Sequence, residues 1–164
     1  MWLRLDLDGV EMYLRIQGFR KSALPDDDAW CRVSLRLQSS WLNYDLDEHI
    51  LCSEEVKWLS RTIEDALFKR LAKNEELEFF EPNIRFVFSY LDTGRELSWP
   101  PIADLRVFFW NGCLTNNYLS LRFDVADLDA LWQYLRLVTG EADLRDPLVR
   151  LWLDKGAILP KYGG

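Results

Sequence analysis

The sequence predicts an α+β fold: a single domain in which a mainly antiparallel β-sheet packs against two or three helices on one side. Three observations carry that expectation. Short segments of alternating apolar and polar residues, bounded by turn residues, recur before residue 47 and between residues 77 and 125. Two longer stretches, following Ser53 and Asp127, repeat apolar residues at helical spacing instead. A length of 164 residues suits one core. We divide it into a core over 1–140 and a C-terminal short helix and tail over 141–164.

The first seventeen residues form a hairpin on paper. Asp8-Gly9 is a two-residue type I′ signal. Pairing outward sets Leu7 against Val10, Leu5 against Met12 and Leu3 against Leu14, all on one face. The other face pairs Asp6 with Glu11, Arg4 with Tyr13 and Trp2 with Arg15, the last suited to a cation–π contact. A polar loop over Lys21–Asp28 leads into a strand from Trp30 to Gln38. Its residues Cys31, Val33, Leu35 and Leu37 share the apolar face. Ser39-Ser40 turns into a further strand from Trp41 to about Leu46.

Ser53 is the expected N-cap of the first helix, with Glu54 and Glu55 where the dipole favours acids. Val56, Leu59, Ile63, Ala66 or Leu67, and Leu71 mark its buried stripe. Lys69, Arg70 and Lys73 fit its last turn and Asn74 its end. Strands over Leu77–Phe80 and Ile84–Tyr90 follow, interrupted at Glu81-Pro82. Trp99-Pro100-Pro101 reads as an irregular loop, and Leu105–Trp110 and Tyr118–Val125 as antiparallel strands. Asp127 is the expected cap of a second helix ended by Gly140. Asp146-Pro147 starts a short third helix that stops at Gly156, and Ala157–Gly164 reads as frayed.

Composition narrows the function. With 49% hydrophobic residues and 14% aromatics the chain is not disordered. Its formal charge is −7, and Ala23–Glu55 holds most of it: eight acids against Arg32 and Arg36. Such a segment repels phosphate backbones, which argues against nucleic acid, and steers a basic partner. Cys31, Cys52 and Cys113 show no disulfide or metal spacing, which suits a reducing, cytoplasmic compartment. No apolar run approaches a membrane span, and Arg4, Asp6 and Asp8 occupy the place of a leader's apolar region.

Catalytic chemistry is poorly supplied. His49 is the single histidine, and Cys52 the one thiol near it in sequence. Cys52 at a helix entrance would have a dipole to activate it, but a polar turn residue beside a buried cysteine explains the pair without catalysis. Asp26-Asp27-Asp28 lacks the order and the distal glutamate of a calcium loop. Asp45 and Asp47 fall on one face of a strand, as general acid–base pairs do, and as acidic edge residues do far more often. Arg85-Phe86-Val87-Phe88 lacks the glycine of an RNA-binding strand.

The stretch from Asp26 to Phe88 resembles the WapI family of bacterial immunity proteins. The resemblance rests on Asp26-Asp27-Asp28-Ala29-Trp30, on the strand after it, and on a helix headed by Glu54 and Glu55 with Trp58 and Leu59. The block Leu77-Glu78-Phe79-Phe80-Glu81-Pro82-Asn83-Ile84-Arg85-Phe86 resembles the family most closely. The segment from Leu91 to Pro101 and everything after Gly140 depart from its pattern. The resemblance implies a small cytoplasmic protein, not an enzyme and needing no cofactor or metal. Such a protein binds and neutralises the toxic domain of a contact-delivered toxin. Many such toxins are nucleases with cationic grooves, where carboxylates can stand in for phosphates.

On this reading the partner-binding residues are Asp26, Asp27, Asp28, Trp30, Asp45, Asp47 and Glu48, with Trp41 and Trp99 as further candidate aromatic anchors. The sequence leaves homodimerisation open. A general adaptor with another protein partner is the second reading, and a hydrolase built on His49 with Cys52 or a carboxylate is the third.

Overall fold

The computed structural model describes residues 1–21, 29–71, 73–92, 97–109 and 117–161, with residues 90–92 and 97–100 described by backbone alone. Along the chain run β1 (Trp2–Leu7), β2 (Val10–Gln17), β3 (Trp30–Gln38), β4 (Asn43–Cys52), α1 (Ser53–Leu67), β5 (Glu75–Glu78) and β6 (Ile84–Asp92). They are followed by β7 (Leu97–Phe108), β8 (Tyr118–Phe123), α2 (Val125–Thr139), α3 (Pro147–Asp154) and β9 (Ile158–Leu159). The α+β class with antiparallel strands holds. Among the described residues the strands divide into two sheets, ordered β4-β3-β2-β1-β9 and β5-β6-β7-β8. Both turn their apolar faces into one core closed by α1 and α2. Leu14, Leu35, Phe86, Leu105, Leu59 and Leu131 meet there around an apolar void of about 20 Å³.

The N-terminal hairpin has the expected register, Leu7 opposite Val10 through Leu3 opposite Leu14. Asp8 and Gly9 both take positive φ, as a type I′ turn demands, and the Gly9 N–H donates to Asp6 Oδ1 at 3.0 Å. On the polar face the Arg15 guanidinium lies 4.5 Å from the Trp2 ring centre, and that of Arg36 lies 5.6 Å away. Their stems cover an indole that would otherwise be exposed on an outer sheet face.

Several boundaries differ from the sequence expectation. β4 continues through Asp47-Glu48-His49 to Cys52, because an edge strand tolerates polar residues that a central strand would not. The N-cap of α1 is therefore Cys52, not Ser53. The helix stops at Leu67, well before Asn74. Lys69 takes a φ of +59°, its N–H donates to the Ala66 carbonyl and that of Arg70 to the Asp65 carbonyl. This is the Schellman closure that Gly140 and Gly156 make for α2 and α3, here with a lysine in the left-handed position. Pro100 and Pro101 lie inside β7, not in a loop. That part of β7 extends beyond the end of β8, so on that side a missing N–H forfeits no ladder bond. The cap of α2 is Asp124, with Asp127 three residues on.

The C-terminal segment is not frayed through residue 159. Ile158 and Leu159 pair with Leu3 and Trp2, and the Arg4 N–H donates to the Ala157 carbonyl at 2.7 Å. Val149, Trp152, Ala157 and Ile158 belong to the same core as the sheets, so the expected division at residue 140 does not separate core from appendage. A polar seam fastens α3 to α2. The Trp152 indole N–H donates to Asp129 Oδ2 at 2.9 Å, and the buried Gln133 amide donates to Asp129 Oδ1 at 3.2 Å. Arg136 bridges Gln133 and Asp146, and Asp146 caps α3 through the Leu148 N–H.

Candidate partner-binding surface

Three of the segments that carry the resemblance meet at one corner of the molecule. Ser53, fully buried, accepts the Arg20 N–H at 3.0 Å and donates to the Ala29 carbonyl at 3.2 Å. It thereby holds Arg20 and Ala29, which flank in sequence the segment containing Asp26, Asp27 and Asp28; those three residues are outside the described ones. Glu55 caps α1 by accepting the Cys52 N–H at 2.8 Å and uses its other oxygen to accept the Phe80 N–H at 2.6 Å. A carboxylate bonded to two main-chain donors fixes the turn before β6 against the start of the helix. Asn83 is buried in that turn, and its main-chain carbonyl accepts the Phe108 N–H, which closes the start of β6.

The aromatic side chains of this corner remain accessible. Phe80 is 79% exposed, the highest value among the large hydrophobic residues described. Half-buried Trp30 meets it edge-on at 5.8 Å, and Trp58, also exposed, stacks edge-on against buried Phe79 at 6.3 Å. Trp30 was expected at such a surface. Phe80 and Trp58, exposed at the same corner, were not among the residues the sequence singled out as candidates. Phe79-Phe80 held the signal: two adjacent aromatics before Glu-Pro cannot both face inward along an extended chain. Trp41, 69% exposed, lies in the β3–β4 turn at the far end of β3 from Trp30, so the two do not form one patch. The side chain of Trp99 is outside the described residues.

Asp45, Asp47 and Glu48 are brought to the β4 edge but not to this corner. Asp45 lies opposite Arg36 and forms an ion pair with it at 3.1 Å. Asp47 receives both arms of Arg32, at 2.9 and 2.7 Å, and the Ser34 hydroxyl at 2.8 Å. The Arg32 guanidinium, with Ser34, holds the Asp47 carboxyl below its ordinary range. The two arginines of the acidic segment thus neutralise two of its acids within the fold, on an exposed face where solvent screens each pair and leaves it a small part in stability. Glu48 pairs with Val33 and alternates to the opposite face, beside Tyr44.

His49 is exposed on β4 opposite Arg32. Burial pushes the Cys52 thiol up, so the helix entrance does not activate it, and the buried Cys31 thiol is raised in the same way. Cys113 is outside the described residues. Among the described residues no group of three or more His, Cys, Asp or Glu is placed to hold a metal ion. No described helix is long and apolar enough to cross a membrane.

The architecture defines a class, an α+β protein of two antiparallel sheets sharing a core with two helices. No family model, curated protein or solved structure matches the chain.

Proposed function

We propose that this chain is a non-catalytic bacterial immunity protein that neutralises a cognate, basic toxin domain by covering its working surface. One observation carries the reading. The corner displays Phe80, Trp58 and Trp30 on a main chain held by Glu55, and Ser53 holds Arg20 and Ala29, which flank in sequence the acidic segment Asp26–Asp28. Rigidly mounted aromatics beside a charged rim are what a tight protein interface uses: the rings supply desolvated contact and the carboxylates steer the approach. A basic partner suits the −6 balance of Ala23–Glu55, and Asp26–Asp28 carry the part of that charge least offset by arginine in sequence. Asp45 and Asp47 contribute less, being paired with Arg36 and Arg32.

The test is to look for a toxin domain in the genes flanking this one and to co-express any candidate with this chain, read as bacterial growth, together with association kinetics of the purified pair. Wild type protects, and the complex weakens with salt. Phe80→Ala with Trp30→Ala loses protection and weakens binding by about a hundredfold or more. Reversing Asp26, Asp27 and Asp28 slows association while leaving the melting temperature in place. Full protection by the double alanine variant would remove this corner from the interface.

A further inference from the structure

Trp41, Asp45, Asp47 and Glu48 have no place at the aromatic corner, yet all four lie along or just before one element, β4. Four strands end a sheet among the described residues: β9 with two residues, β5 with four, β8 with six and β4 with ten. A sheet edge offers its outward main-chain groups to any extended chain, and natural edges are blunted with proline, lysine or short length. β4 has none of these. Its irregularity, opposite Cys31 and Arg32, lies past Glu48.

The N-terminal hairpin fixes which groups of β4 face outward. A two-residue turn closes on a hydrogen-bonded pair, Leu7 with Val10, and such pairs recur at every second residue. Carried through the registers, Met12 and Leu14 bond to β1, Tyr13 and Arg15 to β3, and Leu35 and Val33 to Leu46 and Glu48 of β4. Two bonds outside the ladders agree. The Ile16 N–H, turned from β3 and beyond the end of β1, donates to the Tyr134 hydroxyl at 2.8 Å; that of Arg4, turned from β2, donates to the Ala157 carbonyl. The main chain of Asn43, Asp45 and Asp47 therefore faces away from β3, where no described strand meets it.

The side chains say which chain this edge accepts. Asp45 and Asp47 pair with Arg36 and Arg32, which lie on their β3 side only. Lysine or arginine at alternate positions of an added strand would stand on the other side of each acid, continuing the charge alternation across the sheet. A second copy of β4 does not fit. Antiparallel pairing of the outward groups about Leu46 sets Asp45 on Asp47 twice, and like charges directly opposite destabilise a sheet. At its C-terminal end β4 reaches the corner, since the Cys52 N–H bonds to Glu55, which also holds Phe80. At its other end Trp41 stands exposed in the turn. We propose that β4 takes up an extended, basic segment of the partner protein as the sixth strand of its sheet. The binding mode rests on the toxin-neutralising reading for its basic partner and extends that corner along the sheet edge.

Amide hydrogen exchange of the full chain, read residue by residue by NMR, tests it. In the unbound protein the Asp45 and Asp47 amides exchange about tenfold faster than those of Leu46 and Glu48, which bond to β3. A saturating peptide of about nine residues, alternating lysine with threonine, slows Asp45 and Asp47 about tenfold; the same peptide with glutamate for lysine leaves them fast. Asp45→Pro removes one outward N–H and no ladder bond. It raises the dissociation constant of the lysine peptide about tenfold above that of Asp45→Ala, which keeps the N–H. Unchanged exchange at Asp45 and Asp47 with the lysine peptide, or equal slowing by the glutamate peptide, overturns the proposal. Slowing by the lysine peptide in a chain that protects against no toxin upholds strand addition and removes the toxin. Undiminished protection by Asp45→Pro, with the Asp47 amide still fast in the toxin complex, overturns strand addition and leaves the toxin-binding corner standing.

Discussion

At the corner between β4 and α1, Glu55 accepts hydrogen bonds from two main-chain groups, the N–H of Cys52 and of Phe80. At the seam between α2 and α3, Asp129 accepts from two side chains, the Trp152 indole and the Gln133 amide. The carboxylates do similar bonding and leave different surfaces. Where the backbone is held, the ring it carries is free, and Phe80 projects into solvent. Where the ring itself is held, it is used up in packing, and Trp152 is 8% exposed. A display surface and a structural seam can thus be built from the same residue types. What separates them is which atoms the carboxylate takes.

Substitution at the two carboxylates tests that distinction most strongly. Glu55→Ala removes a helix cap and leaves two N–H groups without their acceptor, at a cost of about 2–3 kcal/mol in urea unfolding. On the proposed function it also weakens binding of the toxin domain, since the Phe80 turn is released. Asp129→Ala costs about 1–2 kcal/mol, because the indole and amide lose their acceptor, and leaves toxin binding unchanged. Equal binding losses for the two variants would erase the distinction.

Asp127 sharpens the comparison through pH. It occupies in α2 the place Glu55 has in α1, accepting the N–H of its cap residue Asp124 at 3.1 Å. Burial, with the nearby Asp124 charge adding to it, raises its pKa from 3.8 to about 6. The native state therefore binds more protons than the unfolded state between about pH 4 and 6, and this group's contribution to stability falls as pH rises through that window. Asp127→Asn does not titrate, so its stability relative to wild type should rise across the same window and level off above it. A difference independent of pH would refute the shift. The smallest effect on stability belongs to Phe80→Ala, within about 0.5 kcal/mol by thermal melting, beside its large effect on binding.

Much of the fold was legible wherever turn chemistry and side-chain pattern agreed within a few residues. The Asp8-Gly9 hairpin, the Trp30–Gln38 strand, and the Asp146-Pro147 start and Gly156 stop of α3 stand where the sequence placed them. Elements that defy local preference were not legible. Lys69 in a left-handed position, prolines inside β7 and charged residues inside β4 are tolerated because of where the tertiary structure puts them: at a helix end, beyond a neighbour's last pair, and on a sheet edge. The site divided in the same manner. Trp30 was singled out as a candidate from its sequence context, and the structure places it, half-buried, against Phe80. That Asp45 and Asp47 answer Arg36 and Arg32 depends on strand register, and that Phe80 leans on Trp30 depends on Glu55 reaching across twenty-five residues.

The sequence by itself determined the α+β class, the order of strands and helices, and the acidic balance, because alternation, helical spacing, turn residues and formal charge are local or additive. Only the tertiary structure decided that the strands form two sheets, that Ile158 completes the edge of β1, and which aromatics remain exposed. Those outcomes turn on which free edge and which apolar face lie within reach once the chain has folded back on itself, and spacing along the chain does not encode that.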